Sequence, residues 1–519
     1  MNEVQIVEIP CGQGSLNYSQ AISDYPKEDL RYCDNLTFED DTWKKEGGAT
    51  KINTTVLTDA PTVVGLHDFW VDSSTQKRIA ATSDGKIVNF VTGGIDDTLE
   101  TGLGSNKFTV FVEGLGGSST RKLFAFNGND VVQVTSNGES CDDIDTPAAD
   151  WSSTNQPTAG VMHNGRLWAW GNANDLHRIY YPLLTDHEDY TGTGSGSLSI
   201  YPGEGEKIVA AFSFAGRLYV WKFPRGIYWI DDSSTTLANW SATRLTSSVG
   251  MAGPLGRAQI DNDVVFVSSE GLIHSLATVQ EFGDAKASAI FPEKIGGFVR
   301  ENINVGRLNR AIAVYYPLKR EWHLACASSV ATVNDQRLVL DLHDIKNPRY
   351  RFSSRDTIEA MALTRDSNDV DKLMVGDDAG FVRLLDQSNR NKDGVAYTGR
   401  FKTAEIELFP KGTKRANIQF IEPIFRPQGV HDLTLDIYMD GKLTQTATVG
   451  MGIASGGVLG SFTLGADTLG GGNILNTRAR VVGDCRRIQI DAYNSGLNED
   501  FSVSSILVGF TIGNERVTI

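Results

Sequence analysis

One phrase in this chain is used twice. Asn164-Gly165-Arg166-Leu167-Trp168-Ala169-Trp170 returns as Ala215-Gly216-Arg217-Leu218-Tyr219-Val220-Trp221, and each copy reads as a two-residue turn entering an aromatic strand. A small antiparallel sheet cannot bury both of its faces alone, so its recurrence predicts blades packed side by side, in a ring or a stack. The same grammar appears at 78–91 around Ser83-Asp84-Gly85, at 122–135 around Asn127-Gly128-Asn129-Asp130, at 264–276 around Ser269-Glu270-Gly271, and at 373–386 around Asp377-Asp378-Ala379-Gly380. Units start about every 35 to 60 residues between positions 60 and 400. Five to eight blades fit that length, and six or seven are expected.

With 53 glycines, 9% aromatic residues and no long helical apolar stripe, the chain reads as all-β. Residues 1–55 are not repeat-like and are expected to form an N-terminal lead-in arm that runs along a surface; 56–410 are expected to form an irregular β-propeller. After Pro410 the texture changes. Period-2 strands over 415–425, 431–439, 479–482, 486–493 and 501–512, with a turn at Asp440-Gly441, predict a C-terminal β-sandwich over 411–519. Within it a glycine-rich loop at 449–473 is either a disordered surface excursion or a segment that orders against a neighbouring subunit.

Charge supports that boundary. The formal net charge is −16, yet from Lys411 onward ten basic residues balance ten acidic ones, leaving 38 basic against 54 acidic residues upstream. An acidic propeller argues against a sequence-reading nucleic-acid binder, which needs a basic face to neutralise phosphates. Five cysteines without close pairing, Cys11, Cys33, Cys141, Cys326 and Cys485, are expected to be free thiols of a reducing compartment. No run of eighteen apolar residues and no signal-peptide pattern is present, so neither a membrane span nor export is expected.

Chemistry is hard to find. The acidic pairs Asp142-Asp143, Asp231-Asp232 and Asp377-Asp378 sit beside turns, where aspartate serves local hydrogen bonding, and neighbours on a strand point apart. A glycosidase would need two carboxylates facing one cleft. The aspartate box of sialidase-type propellers, Ser-x-Asp-x-Gly-x-Thr-Trp, is absent. Asn389-Arg390-Asn391-Lys392-Asp393-Gly394 looks like the front of a calcium loop, but Arg400 occupies the twelfth position where a carboxylate belongs, so a polar hairpin turn is expected. The eight histidines show no metal-ligand spacing, and neither a GxSxG elbow nor a phosphate-cradling glycine motif occurs. Trp168, Trp170, Trp221 and Trp229 lie on predicted strands and are read as core rather than as sugar-stacking platforms. No catalytic, cofactor-binding or metal-binding residue is assigned, no cofactor is expected, and the chain is not read as an enzyme.

A family likeness runs through these residues. Gly14-Ser15-Leu16-Asn17, Cys33-Asp34-Asn35-Leu36-Thr37-Phe38 and Lys44-Lys45-Glu46-Gly47-Gly48 resemble the lead-in of β-propeller tail proteins of short-tailed bacteriophages. The likeness continues through 157–170, His177-Arg178-Ile179-Tyr180-Tyr181, Lys207-Ile208-Val209-Ala210-Ala211-Phe212, Arg217-Leu218-Tyr219-Val220-Trp221, Ser269-Glu270-Gly271-Leu272 and Gly376-Asp377-Asp378-Ala379-Gly380. It departs at Gly12-Gln13-Gly14, where the family carries a glycine pair, and at Glu46, where a proline-containing turn is common.

The resemblance implies a structural virion protein: a tail nozzle or hub, or packaged-DNA stabilisation protein, forming a homohexameric ring below the portal and adaptor. Such a ring retains packaged DNA and forms the channel for its ejection, passing double-stranded DNA without sequence-specific binding. Tail fibre or needle proteins are the implied distal partners, and the implied location is the virion tail, assembled in the host bacterial cytoplasm. The alternative from another class is a carbohydrate-binding or carbohydrate-cleaving propeller, which would use aromatic and carboxylate side chains at the propeller mouth. A tail-tip or baseplate component of another virus type would share the fold and differ in partners.

Overall fold

The computed structural model describes all residues except 1–2, 12–13, 19–25, 40, 204, 278–291, 345–347, 367, 410–413, 427, 453–477 and 514–519. The repeated phrase forms two-residue hairpins, as its residues dictate. Asn164 and Gly165 both take positive φ (44° and 74°), as do Ala215 and Gly216 (49° and 72°), the conformation a type I′ turn demands. His163 pairs with Arg166 across the first turn and Phe214 with Arg217 across the second.

Each hairpin belongs to a four-stranded antiparallel sheet. The first four blades are consecutive: Val63–Trp70 through Gly94–Glu100, Val110–Leu115 through Asp142–Asp143, Ala159–His163 through Gly196–Ser199, and Lys207–Phe214 through Ser241–Thr246. Blade five has three described strands, from Arg257–Ile260 to Ile273–Ser275, and blade six runs from Ile312–Tyr316 to Arg349–Ser353. Blade seven takes three strands from Ala360–Arg365, Asp371–Gly376 and Val382–Gln387, and its fourth from the far end of the chain, Gly48–Lys51. Ala360–Arg365 packs against Val63–Trp70, which closes the ring. The fold is thus a seven-bladed propeller, with the first strand of each blade innermost. Trp168, Trp170 and Trp221 are buried in the cores between blades, while Trp229 is half-buried under Arg217.

The sandwich is larger than residues 411–519. One sheet orders Leu36–Glu39, Thr42–Lys45, Ser502–Ile512, Ala416–Phe425 and Ala479–Cys485, with Gln5–Pro10 also paired to Ser502–Ile512. The other orders Leu30–Asp34, Gly399–Thr403, Arg487–Asn494, Asp432–Met439 and Lys442–Gly450, with Ile406–Glu407 also on Arg487–Asn494. Period-2 burial builds its core: Leu433, Leu435 and Ile437 face Ile418, Ile421, Ile506 and Val508 across the layer.

Within residues 1–55, expected as an arm along a surface, Gln5–Pro10, Leu30–Asp34, Leu36–Glu39, Thr42–Lys45 and Gly48–Lys51 are therefore structural strands of the two domains. Ile9, Leu30, Cys33, Leu36 and Trp43 are fully buried in the sandwich core. Their strands are four to six residues long, too short for alternation to register, and apart from the local hairpin of Leu36–Glu39 with Thr42–Lys45 their partners lie hundreds of positions away. Lys442–Gly450 is a further strand that no apolar alternation marks; it is a largely exposed edge strand with threonines instead of an apolar face. The glycine-rich loop at 449–473 lies, from 453 onward, outside the described residues.

The two domains share a sheet. Leu30–Asp34 meets the outermost strand of blade six in parallel at Asp34 and Phe352, so blade six and the second sandwich sheet form one ten-stranded sheet. The hydrophobic core is continuous across that joint. Phe298 and Val299 of the helix Pro292–Asn302 pack with Phe352, Trp322 and the sandwich residues.

Candidate functional site

At that joint lies a buried charge cluster. Glu46 sits between Thr42–Lys45 of the sandwich and Gly48–Lys51 of the propeller, and its Oε1 accepts from Arg337 Nη2 at 2.5 Å with Arg351 Nη1 at 3.5 Å. Arg351 Nη2 donates to Glu321 Oε1 at 2.5 Å, and His323 Nε2 lies 3.1 Å from Glu321 Oε2. The four blade-six residues come from three neighbouring strands, with Glu321 and His323 two apart on one of them, so all project to one face. Arg355 donates to the Gly47 carbonyl at 2.6 Å and pairs with Asp356 at 2.8 Å, and the Tyr397 hydroxyl donates to the Glu46 carbonyl.

Burial would raise the carboxyls of Glu46 and Glu321, but Arg337, Arg355 and Arg351 around the first, and Arg351, His323 and Lys319 around the second, outweigh it and hold both below the usual range. Burial opposes ionisation of Asp356 too, yet Arg355 and Lys392 bring it to about 2. His323 is pushed down to about 4, chiefly by burial, and is neutral at pH 7. Every carboxylate here is matched by a cation inside the protein. The arrangement is a clamp on the incoming N-terminal segment, not a reactive centre.

The residues singled out in the sequence are scattered. Asp142 and Asp143 are exposed on the outermost strand of blade two, where Asp143 accepts from Gln133 at 2.6 Å. Asp231 accepts from the Ser233 hydroxyl at 2.7 Å, while Asp232 pairs with the buried His163 at 3.2 Å. Asp377 caps its own turn, accepting from the amides of Ala379 and Phe381 at 2.9 and 2.8 Å, and Asp378 is exposed. The calcium-like segment is a joint: Asp393 accepts from the Lys51 amide at 2.9 Å and from Arg383 at 2.6 Å, and Arg390 reaches Asp500 at 2.9 Å. Arg400 is bidentate to Asp491, at 2.8 and 2.6 Å. Among the described residues no three His, Cys, Asp or Glu side chains gather to hold a metal ion. The five cysteines are unpaired, and burial pushes Cys33, Cys326 and Cys485 up to about 12.

Two sets of cavities open on the propeller. A rim cavity of about 910 Å³ lies between blades one and seven, where Trp70 and Arg121 meet Asp68, Asp366, Asp369 and Asp371. Its carboxylates are committed: Asp68 to Gln76 and the Arg365 amide at 2.9 and 3.1 Å, Asp369 and Asp371 to Arg365 at 3.2 and 3.3 Å, Asp366 to the amides of Asn368 and Val370 at 2.8 and 3.1 Å.

The axial channel is different in character. At the N-terminal ends of the inner strands its mouth is a cavity of about 340 Å³ carrying Lys207 and Arg310. Phe108 lines both this mouth and an inner cavity of about 220 Å³. The inner cavity is walled by Leu66, Val110, Leu255, Ile312, Ala313 and Met361, with Arg257 as its one cation among the described residues. Nothing in the sequence marked Arg257, since an arginine opening a strand reads as solvated surface.

What the topology defines is a seven-bladed β-propeller welded to a β-sandwich. No protein-family model matches the chain, and no curated protein matches its sequence. Among solved structures it is similar to the computationally designed Ika8 protein (12% identity, 72% of this chain and 98% of that one, TM-score 0.38). It is also similar to the WD40 β-propeller domain of Doa1 (12%, 66% and 98%, TM-score 0.39) and to BamB from Moraxella catarrhalis (10%, 66% and 98%, TM-score 0.35). These are likenesses of fold at very low identity. Among the described residues no helix is long and apolar enough to cross a membrane.

Proposed function

We propose that this chain is a structural virion protein of a bacteriophage tail, one subunit of a homohexameric nozzle or hub ring below the portal and adaptor. The observation that carries the reading is the role of the residues behind the family likeness. Cys33-Asp34-Asn35-Leu36-Thr37-Phe38 begins at the end of the strand that meets blade six, with Asp34 at the joint, and runs into the next sandwich strand, and Lys44 to Gly48 contains the clamped Glu46 and leads into the closing strand. A signature placed on the weld between two domains suits a scaffold subunit, whose task is to hold shape under load. Head-to-tail contacts in a closed ring would be heterologous, with the sandwich edge around Lys442–Gly450 as a candidate surface. An acidic lumen would repel phosphate and let DNA slide without sticking.

Immunogold electron microscopy of virus particles from the source lysate, with antibody against the purified chain, tests the reading. Label at the tail end supports it. Particles without label, together with soluble protein that binds glycans, would overturn it.

The carbohydrate reading is favoured by one observation, the half-buried Trp70 beside four aspartates in the rim cavity. Those carboxylates are already occupied by internal partners, which leaves them poorly placed for acid and base work. A glycan array on wild type and Trp70→Ala decides it, since a sugar site there would bind in the first and fail in the second.

A further inference from the structure

Arg257 opens the innermost strand of blade five and is half-buried, with its Nε shut off from solvent. Its guanidinium spends one group on the Ala211 carbonyl (Nη2 to O, 2.5 Å) and stacks 4.5 Å over the Phe212 ring. Its Nε has no hydrogen-bond partner, and no carboxylate among the described residues lines the inner cavity or the mouth outside it. Burial alone pushes its pKa down, to about 9, with no acid offsetting the cost, so the group remains cationic at neutral pH.

The other charges nearby are spoken for. His67, across the cavity, pairs with Glu113 at 3.0 Å, and Glu113 is also held by Arg121. At the mouth Arg310 donates to the Asn106 carbonyl at 2.7 Å, while Glu359, the acid acting on it, is paired with Arg307 at 3.1 Å.

A buried cation without a counter-charge is costly, and long charged side chains are almost never left so. Here this happens in a chain carrying a net charge of −16, in which acids were abundant and the buried arginines of the joint all received one. Arg257 received none, and it lines a cavity where a ligand could supply the missing charge. Mostly apolar walls with a few polar groups, here Arg257, His67 and Thr109, are the usual make-up of a small-molecule site.

We propose that the axial channel of the propeller binds a small carboxylate with a compact apolar body. The carboxylate would pair with the Arg257 guanidinium where it lines the cavity, and the body would lie against Leu66, Val110, Ile312 and Met361. Lys207 and Arg310 at the mouth would draw an anion inward. The proposal is independent of the virion reading.

Calorimetric titration of the full chain with benzoate and hexanoate tests it, with benzamide as the neutral isostere and inorganic phosphate as a bare oxyanion. Saturable binding of a carboxylate is expected, at least tenfold weaker for benzamide and at least tenfold weaker in Arg257→Met. Ala362→Phe, which fills the cavity and leaves Arg257 in place, should abolish it. Arg257→Met should melt no lower than wild type in ligand-free buffer, because it removes an uncompensated charge; a purely structural arginine would make it melt lower. Absence of binding in wild type, equal binding in Arg257→Met, or Arg257-dependent binding of phosphate but not of the carboxylates would each overturn the proposal.

Discussion

Glu46 and Arg337 stand 291 positions apart in the chain and 2.5 Å apart in space. Their ion pair lies where blade six, the closing strand of blade seven and the sandwich converge. Removing one partner of a buried pair strands the other charge, which costs about 3 to 5 kcal/mol. Glu46→Gln should therefore lower stability by about that amount, because it leaves Arg337 and Arg351 facing an amide. Guanidinium denaturation of the variant against wild type reads this directly, and a loss below about 1 kcal/mol would show that the clamp is not stabilising.

The closing strand offers a steric test. A Cβ on Gly48 would lie 2.0 Å from Asn389 Oδ1 and 2.4 Å from the Asn391 carbonyl, and the second of these is backbone that cannot step aside. Gly48→Ala should displace Gly48–Lys51 from blade seven. The expected outcome is faster proteolysis between blades seven and one and a destabilisation of at least about 3 kcal/mol, on the scale of severe core overpacking.

Ala215 holds φ of 49° in a turn that its sister copy builds with Asn164. A non-glycine residue other than asparagine or aspartate is strained there by about 1 to 2 kcal/mol. Ala215→Asn recreates the Asn-Gly turn of the first copy, at an exposed site, and should raise stability by about 0.5 to 1 kcal/mol in a thermal or urea melt. Ala215→Val should lower it.

Acid sensitivity should centre on buried histidines. His274 stacks on Phe266 at 5.5 Å, its Nδ1 has no hydrogen-bond partner, and burial pushes its pKa down to about 4. The folded pKa is below the unfolded value of about 6.5, so the unfolded chain binds the proton first as pH falls. Stability is therefore full above pH 6.5 and is lost between about 6.5 and 4, by on the order of 3 kcal/mol for this group. His323, also pushed to about 4, acts in the same window. His274→Phe keeps the ring stack and should flatten the slope of urea midpoint against pH over that range. An unchanged slope would locate the acid sensitivity elsewhere.

Strand-and-turn grammar was legible because it is local. Asn164-Gly165 and Asp440-Gly441 each specify a hairpin through the φ of two adjacent residues, and the alternation in 431–439 names the buried face without reference to any partner. The same locality made the buried tryptophans predictable and showed why adjacent aspartates beside turns cap those turns.

What only the tertiary structure decided is who pairs with whom across hundreds of residues. Blade count depended on Gly48–Lys51 completing a sheet begun at Ala360, and the sandwich on short strands from residues 5–45. Glu46 and Arg257 look alike in the sequence, each a charged residue near a turn or strand start. One is buried against two arginines and the other half-buried against a ring, a carbonyl and a cavity, because ring closure brings distant strands to the first and an apolar axis to the second. Periodicity records which side of a strand is dry, whereas the identity of the neighbour on that side is set by long-range packing, which no window of sequence contains.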